Sequence, residues 1–307
     1  MIMGKKLLFI YNANAGMGKI RPSLSKVIER LCQVGYDVTI YATQAAGEAR
    51  DIVTRRGESV EVVVCSGGDG TINEVIAGAM RLDKKPRIGY LPTGTMNDFA
   101  KSLGIPGHPL KAVETVVEGH AYSCDIGSFN GRNFNYVAAF GAFTEVSYQT
   151  PQRNKNALGK MAYFVDAIGR LPKLRGYHLR AKADSRYIEG DFIYGMISNS
   201  KSVGGFMLED KKHKISLCDG KFELILLKNP QNPIEFEQVI QCALTHNIDG
   251  NNLVALKASN IEIKMDEPVS WTLDGENGGT WETANVFCRK GAIDIFAGNM
   301  GRKKKIG

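Results

Sequence analysis

Two short stretches of this chain combine glycine, carboxylate and hydroxyl groups in patterns suited to phosphate chemistry. The first is Gly67-Gly68-Asp69-Gly70-Thr71, followed closely by Asn73. Glycines let a backbone approach a phosphate, and the free N–H groups of a helix N-terminus bind anions. Asp69, an acid inside such a turn, makes sense where a divalent cation accompanies the phosphate. The second is Asp274-Gly275-Glu276, two carboxylates flanking a glycine after an expected strand at 269–273. Phosphoryl transfer needs a nucleotide cradle, a cation and a carboxylate to accept the acceptor hydroxyl's proton. The acids available for such roles are Asp69, Asp98, Asp125, Asp219, Asp274 and Glu276.

The elements that must position these groups follow from periodicity. Residues 60–65 are rich in valine and, apart from Glu61, apolar, which predicts a strand buried on both faces. Ile72, Val75, Ile76 and Ala79 recur at helical spacing over 71–80. The glycine turn between them is a strand-to-helix connection, where open α/β sheets place ligands. A second such unit has a strand at 88–91, a Pro92-Thr93-Gly94-Thr95 turn and a helix from about 96. Further strands at 6–11 and 37–43 alternate with helices at 21–34, 47–56 and 109–118, a rhythm that predicts a doubly wound parallel sheet.

From residue 122 the texture changes to short strands with turn signals at Asn130-Gly131, Asp219-Gly220 and Asp249-Gly250. The expected fold is therefore α/β plus mostly β. An N-terminal, doubly wound parallel α/β nucleotide domain (1–125) would precede an antiparallel β-sandwich-like or barrel-like domain (126–295) that holds lipid. Residues 157–170 read as an amphipathic helix in the second half, its apolar stripe packed on the core.

Composition bounds the function. The chain has 307 residues, 43% hydrophobic and 23% charged, as in soluble globular proteins. It has no apolar run of the roughly 18 residues that a membrane span needs, and its start lacks a signal peptide's apolar stretch. The cysteines at 32, 65, 124, 218, 242 and 288 form no CxxC pair or metal-ligand spacing, so reduced thiols in a cytoplasmic protein are expected. The net charge of +7, four charges of it from Arg302-Lys303-Lys304-Lys305, predicts an anionic partner. No nucleic-acid-binding motif is present, so an anionic membrane surface is the expectation.

Residues 13–20, ANAGMGKI, nearly spell a P-loop. That motif requires Gly at its first position and Ser or Thr after the lysine, where Ala13 and Ile20 stand here. A Rossmann dinucleotide site is excluded because GGDGT lacks the spaced G-x-G-x-x-G.

GGDGT followed by PTGTMNDFA closely resembles the catalytic domain of the diacylglycerol kinase family, which also holds sphingosine kinases, ceramide kinases and bacterial soluble lipid kinases. Tyr11 to Lys19 is similar to that family's first nucleotide loop, usually NPxxGxGK, with Ala13 in place of the proline. Leu273-Asp274-Gly275-Glu276 matches its LDGE motif. Four motifs in order over nearly the whole chain carry the resemblance.

The resemblance implies an ATP- and Mg²⁺-dependent lipid kinase, peripherally associated with the membrane, that phosphorylates diacylglycerol to phosphatidic acid. The nucleotide would lie against Asn12, Ala13, Asn14, Thr43, Gly67, Gly68, Asp69, Gly70, Thr71, Ile72, Asn73 and Thr95. Thr43 enters because TQAAGEA resembles the family's second nucleotide-facing turn. The LDGE turn would supply the general base, Asp274 or Glu276. Asp69 and Asp125 would form a carboxylate–water–metal network beside the phosphates. Ser216, Asp219 and the Lys221 carbonyl are similar to the family's separate magnesium site, although the preceding 209–213 stretch lacks its Pro-x-Ala. The last strand would cross back so that residues after about 295 dock on the first domain. Three alternatives stay open: another lipid acceptor (phosphatidylglycerol or a sphingoid), a soluble polyol or dinucleotide acceptor, since NAD kinases and phosphofructokinases share the GGDG turn, and a non-catalytic lipid- or nucleotide-binding regulator. The choice of ATP over GTP and of monomer or oligomer is likewise open.

Overall fold

A computed structural model describes residues 4–141, 175–203, 206–207, 215–232, 234–235, 238 and 252–298. The expected helix at 157–170, the 209–213 stretch and the basic cluster at 302–305 lie outside the described residues.

The chain begins with β1 (Lys5–Asn12), α1 (Leu24–Gln33), β2 (Tyr36–Thr43), α2 (Glu48–Arg56), β3 (Val62–Gly67), α3 (Asp69–Ala79), β4 (Arg87–Pro92), α4 (Asp98–Ser102) and α5 (Pro109–Glu118). Every residue of β3 is buried, as its valine run requires. The strand sits two residues later than periodicity predicts because Glu61 is exposed, its N–H donating to the Lys6 carbonyl. Helix α3 then starts at Asp69 with Gly68 as its cap residue. Strands β1–β2, β1–β3 and β3–β4 pair in parallel, giving the order β2-β1-β3-β4. The strand order reverses between β1 and β3, where such sheets leave a crevice outside the strands' carboxyl ends. Helix α1 packs with α5 and α2 with α3. Right-handed crossovers leading in opposite directions from β1 put these pairs on opposite faces.

The remaining elements are β5 (Ala121–Phe129), β6 (Arg132–Phe134), β7 (Val137–Gly141), β8 (Tyr177–Ala183), β9 (Arg186–Ser198), β10 (Ser202–Val203), β11 (Phe206–Met207), β12 (Phe222–Lys228), β13 (Leu253–Ala258), β14 (Asn260–Leu273) and β15 (Glu276–Phe296). Their pairings are antiparallel, save one contact of β15. Asn130 and Gly131, both at positive φ, close the β5–β6 hairpin. Trp271 anchors this region, its ring centroid 4.8 Å from those of both Phe129 and Phe140.

The expected division into a separate parallel α/β domain and a distinct β-sandwich is not what the chain forms. One continuous mixed sheet of 13 strands runs through it, β13-β12-β9-β7-β14-β15-β4-β3-β1-β2, with β5, β6 and β8 attached. The physical reason is the 21-residue β15. Its first part pairs with β14 and its second with β5, and Ile295 stands parallel beside Ile88 of β4. A register shift between Arg289 and Ile293 bends it from one region into the other. The core is partly shared too: a second cluster around Trp271 belongs to the antiparallel strands alone, whereas the first spans both regions. Leu7, Val63 and Ile88 of the parallel strands are buried in one cluster with Val137, Met196, Leu217 and Ile293.

Candidate active site

Three turns meet at the carboxyl ends of β1, β3 and β4, and glycines let them meet. A Cβ on Gly16, in the turn after β1, would collide with the Thr93 carbonyl oxygen. A Cβ on Gly67 would collide with the Thr71 side chain, and one on Gly94 would lie 2.5 Å from the Gly68 Cα. The N–H groups of Thr93 and Gly94 both donate to the Gly67 carbonyl, at 2.8 and 3.1 Å. The turn after β3 is thereby locked to the turn after β4, and the N-terminus of α3, which no side chain caps, opens onto them. Such an end attracts a phosphate.

The predicted nucleotide residues fall around this point. Asn12 and Thr43 end adjacent strands and are register partners. The Asn12 side chain accepts the Asn14 N–H at 3.0 Å, and Thr43 Oγ1 donates to the Tyr11 carbonyl at 3.4 Å. Ala13 is half-buried, while Asn14, Gly70 and Thr95 are exposed. Ile72 is different in kind: its side chain is wholly in the core and its N–H is bonded to the Gly68 carbonyl.

The acids surround the same turn. Asp69 accepts the N–H groups of Asp98 and Phe99, both at 3.3 Å, and so caps α4. Burial raises its pKa, the Asp98 charge raises it further, and the α4 N–H groups pull it down. Asp98 is buried, with Lys101 Nζ 3.1 Å from its carboxylate. Asp274 and Gly275, both at positive φ, form the two-residue hairpin between β14 and β15. The Asp274 carboxylate accepts three backbone N–H groups, from Asn135 at 2.6 Å, Tyr136 at 2.9 Å and Val137 at 3.0 Å. Burial nonetheless pushes its pKa up to about 6, with the Asp69 charge adding to the rise. Glu276 is exposed, and its Oε1 lies 3.9 Å from where a Gly70 Cβ would be. Residues 206 apart in sequence thus face each other across the crevice.

Sequence reasoning missed the segment that assembles this arrangement. Asn135 donates its N–H to Asp274 and its side-chain amide to Asn73 Oδ1, joining the β14–β15 hairpin to α3. The buried phenols of Tyr90 and Tyr136 complete the surroundings; Tyr90 Oη donates to Asn97 Oδ1 at 3.2 Å and Tyr136 Oη to the Asp274 carbonyl at 3.2 Å. Burial and then the neighbouring carboxylates hold both phenols neutral, far above the usual tyrosine range. The one available signal was Asn130-Gly131, which predicts that the chain returns just before residue 135.

The other predicted acids lie together elsewhere. Asp125 is fully buried and accepts the N–H groups of Gly220 at 2.6 Å and Gly291 at 2.8 Å. Its contacts are with the 216–221 turn and the β15 bend, not with Asp69. In that turn Ser216 Oγ accepts the Cys218 N–H and Asp219 Oδ1 accepts the Lys221 N–H. Lys257 Nζ lies 3.3 Å from Asp219 Oδ2 and 2.9 Å from Glu223 Oε1. No group of three or more His, Cys, Asp or Glu side chains arranged to hold a metal occurs among the described residues. The donor set of this turn is hydroxyl, carboxylate and carbonyl oxygen, the kind magnesium takes, with Lys257 sharing one Asp219 oxygen.

The sequence pattern of the diacylglycerol kinase catalytic domain matches residues 6–129. A diacylglycerol kinase from Bacillus subtilis (strain 168) is 36% identical over 278 residues, covering 90% of this chain and 91% of its own. The chain belongs to the diacylglycerol kinase family. A second member, the diacylglycerol kinase from Staphylococcus carnosus (strain TM300), is 33% identical over 297 residues, 96% of this chain and 95% of its own. The fold of the family is also this one: a solved structure from Bacillus anthracis superposes with a TM-score of 0.83 at 24% identity, covering 97% of each chain. A diacylglycerol kinase structure from the same organism gives 0.76 at 20% identity. Among the described residues of this family member, no helix is long and apolar enough to cross a membrane.

Proposed function

We propose that this protein is an ATP-dependent lipid kinase that phosphorylates the hydroxyl of diacylglycerol to give phosphatidic acid. Family membership carries the reaction class, and the residue roles follow from the crevice. The observation that carries them is the position of the Asp274–Glu276 hairpin, fixed across the crevice from Gly70 and the start of α3.

The site suits a magnesium nucleotide. Gly68 puts bare backbone at the turn, held there by close contact with Gly94, the α3 N-terminus supplies N–H donors, and Asp69 and Asp98 supply carboxylates. Magnesium, when bound, neutralises charge on the transferring phosphoryl group. Asp69 would hold it through a carboxylate oxygen. The nucleotide phosphates lie over Gly68, Asp69, Gly70 and Thr71, with Asn12, Asn14 and Thr95 around them and Thr43 farther out, toward the nucleoside.

Asp274 is the general base. Its three N–H partners hold one carboxylate orientation, and a pKa of about 6 keeps it mostly ionised yet basic at neutral pH. It accepts the proton of the diacylglycerol hydroxyl as that oxygen bonds to the γ-phosphorus and the bond from that phosphorus to the ADP oxygen breaks. Glu276, exposed at the mouth, orients the acceptor. Ser216, Asp219 and the Lys221 carbonyl hold a second magnesium away from the phosphates, as a structural ion. The acceptor's tails stay in an anionic membrane surface on which the protein docks from the cytoplasm through its basic charge.

The test is purified protein with labelled ATP, Mg²⁺ and dispersed lipids. Labelled phosphatidic acid is expected from diacylglycerol, none from sphingoid bases or soluble polyols, and a markedly smaller yield with Asp274→Asn. Equal labelling with Asp274→Asn would remove Asp274 from the base role.

A further inference from the structure

Glu74 sits on α3 one residue beyond the glycine turn and its asparagine, and its carboxylate does not serve its own helix. Oε1 accepts the Gly47 N–H at 2.7 Å and Oε2 accepts the Ala49 N–H at 3.1 Å. Both donors belong to the start of α2, whose cap residue Gly47 has a φ of +86° and no side chain to cap it. Free N–H groups at a helix start need an acceptor, and an anion is the best one. Here the acceptor comes from the neighbouring helix. The same loop is held at its other end, where Glu48 Oε2 accepts the Gln44 N–H at 2.7 Å. Residues 44–47, which directly follow Thr43, are therefore pinned from both sides.

Strand order tells what this loop is for. The phosphate turn follows β3, and β1 and β2 lie beyond it on one side. With strands about 4.8 Å apart, the loop after β2 stands about 10 Å from the phosphate turn, on the Thr43 side of the crevice. We infer that Glu74 is a positioning residue for ATP: by capping α2 from α3 it fixes the 43–47 loop as the wall against which the nucleoside rests. The inference rests on the nucleotide reading given above.

The experiment compares Glu74→Gln and Glu74→Ala with Val113→Ala, a core truncation in α5 on the opposite face that loses thermal stability without touching this loop. A glutamine amide keeps only one acceptor oxygen and turns its NH₂ toward an N–H group, so the isosteric variant breaks the double contact while preserving packing. Both Glu74 variants are expected to raise KM for ATP about tenfold, the effect of losing one charged contact, with KM for diacylglycerol unchanged and kcat at saturating ATP within about twofold. Amide exchange at Gly47 and Ala49 should accelerate in the same variants. If Glu74→Ala does not fold, Glu74→Gln alone decides the matter. An ATP KM that stays at the wild-type value, or rises no more than in Val113→Ala, overturns the assignment. A Gly68→Val variant run alongside separates the two readings. Unchanged ATP binding there overturns the nucleotide site and the inference with it, whereas lost binding there with a normal KM in Glu74→Gln overturns the inference alone.

Discussion

Gly68 and Gly94 touch backbone to backbone: a Cβ on Gly94 would lie 2.5 Å from the Gly68 Cα, while one on Gly68 would lie 3.3 Å from the Gly94 Cα. The asymmetry makes a graded prediction. Gly94→Ala should open the junction between the two turns and cost about 1–3 kcal/mol of stability, the usual range for overpacking. Gly68→Ala, whose φ of −93° suits any residue, should fold nearly normally and lose ATP affinity instead. Gly68→Val should abolish nucleotide binding. Calorimetric titration with ATP and thermal melts of the three variants check this, and equal ATP affinity in all of them would place the phosphates elsewhere.

For the hairpin acids, Asp274→Asn should lower kcat by about 10²- to 10⁴-fold with ATP affinity kept, because general-base catalysis is worth that much. Glu276→Gln should raise KM for the lipid more than it lowers kcat. Single-turnover rates alongside ATP titration distinguish the two, and reversed effects would make Glu276 the base.

The same carboxylate sets a pH dependence of known sign. Its folded pKa of about 6 lies above the unfolded value, so between about 3.9 and 6 the native state holds a proton that the unfolded chain has released. Ionising Asp274 therefore lowers stability, a cost absent below about pH 4 and complete above about pH 6. Turnover behaves oppositely, since the base must be ionised. A kcat/KM profile should rise through an apparent pKa near 6 and then level off, and the step should vanish in Asp274→Asn. Because Asp69 is coupled to it, the observed value belongs to the acid pair.

Asp125 and Asp219 separate packing from metal binding. Asp125→Ala removes the acceptor for two buried backbone N–H groups and should cost several kcal/mol, about 1–3 for each stranded donor, whether or not Mg²⁺ is present. Asp219→Ala should abolish any rise of Tm on adding Mg²⁺. If wild type and Asp219→Ala respond to Mg²⁺ alike, the ion pair of Lys257 with Asp219 and Glu223 is itself the structural link.

Membrane docking by charge predicts salt sensitivity. Binding to vesicles should strengthen with anionic lipid and weaken as ionic strength shortens the reach of charge to about 8 Å near physiological salt. Deleting residues 302–305 should weaken sedimentation with acidic vesicles and leave ATP affinity unchanged. Salt-independent binding would point to insertion of apolar side chains.

Local sequence determined the parts of this protein that local physics controls. The valines of 62–64 can only be a doubly buried strand, Gly67 to Thr71 can only turn tightly, and the Asp274-Gly275 pair takes the positive φ angles of a two-residue hairpin. The glycines, hydroxyls and acids of the site were legible for the same reason: each acts through its own backbone freedom or functional group. Tertiary structure alone decided which of them meet. The family resemblance implies that the last strand crosses back, but nothing in residues 276–296 themselves announces one strand serving β14, β5 and β4, because hydrogen-bonding partners are chosen by register and shared burial, which no window of sequence contains. That strand turned two expected domains into one sheet. Asn135 became the link between Asp274 and Asn73, Asp125 joined the 216–221 turn rather than Asp69, and Glu74 reached across to cap α2, each through contacts spanning 25 to 139 positions. Chemistry was written in residue types, and proximity arose only when the sheet closed around them.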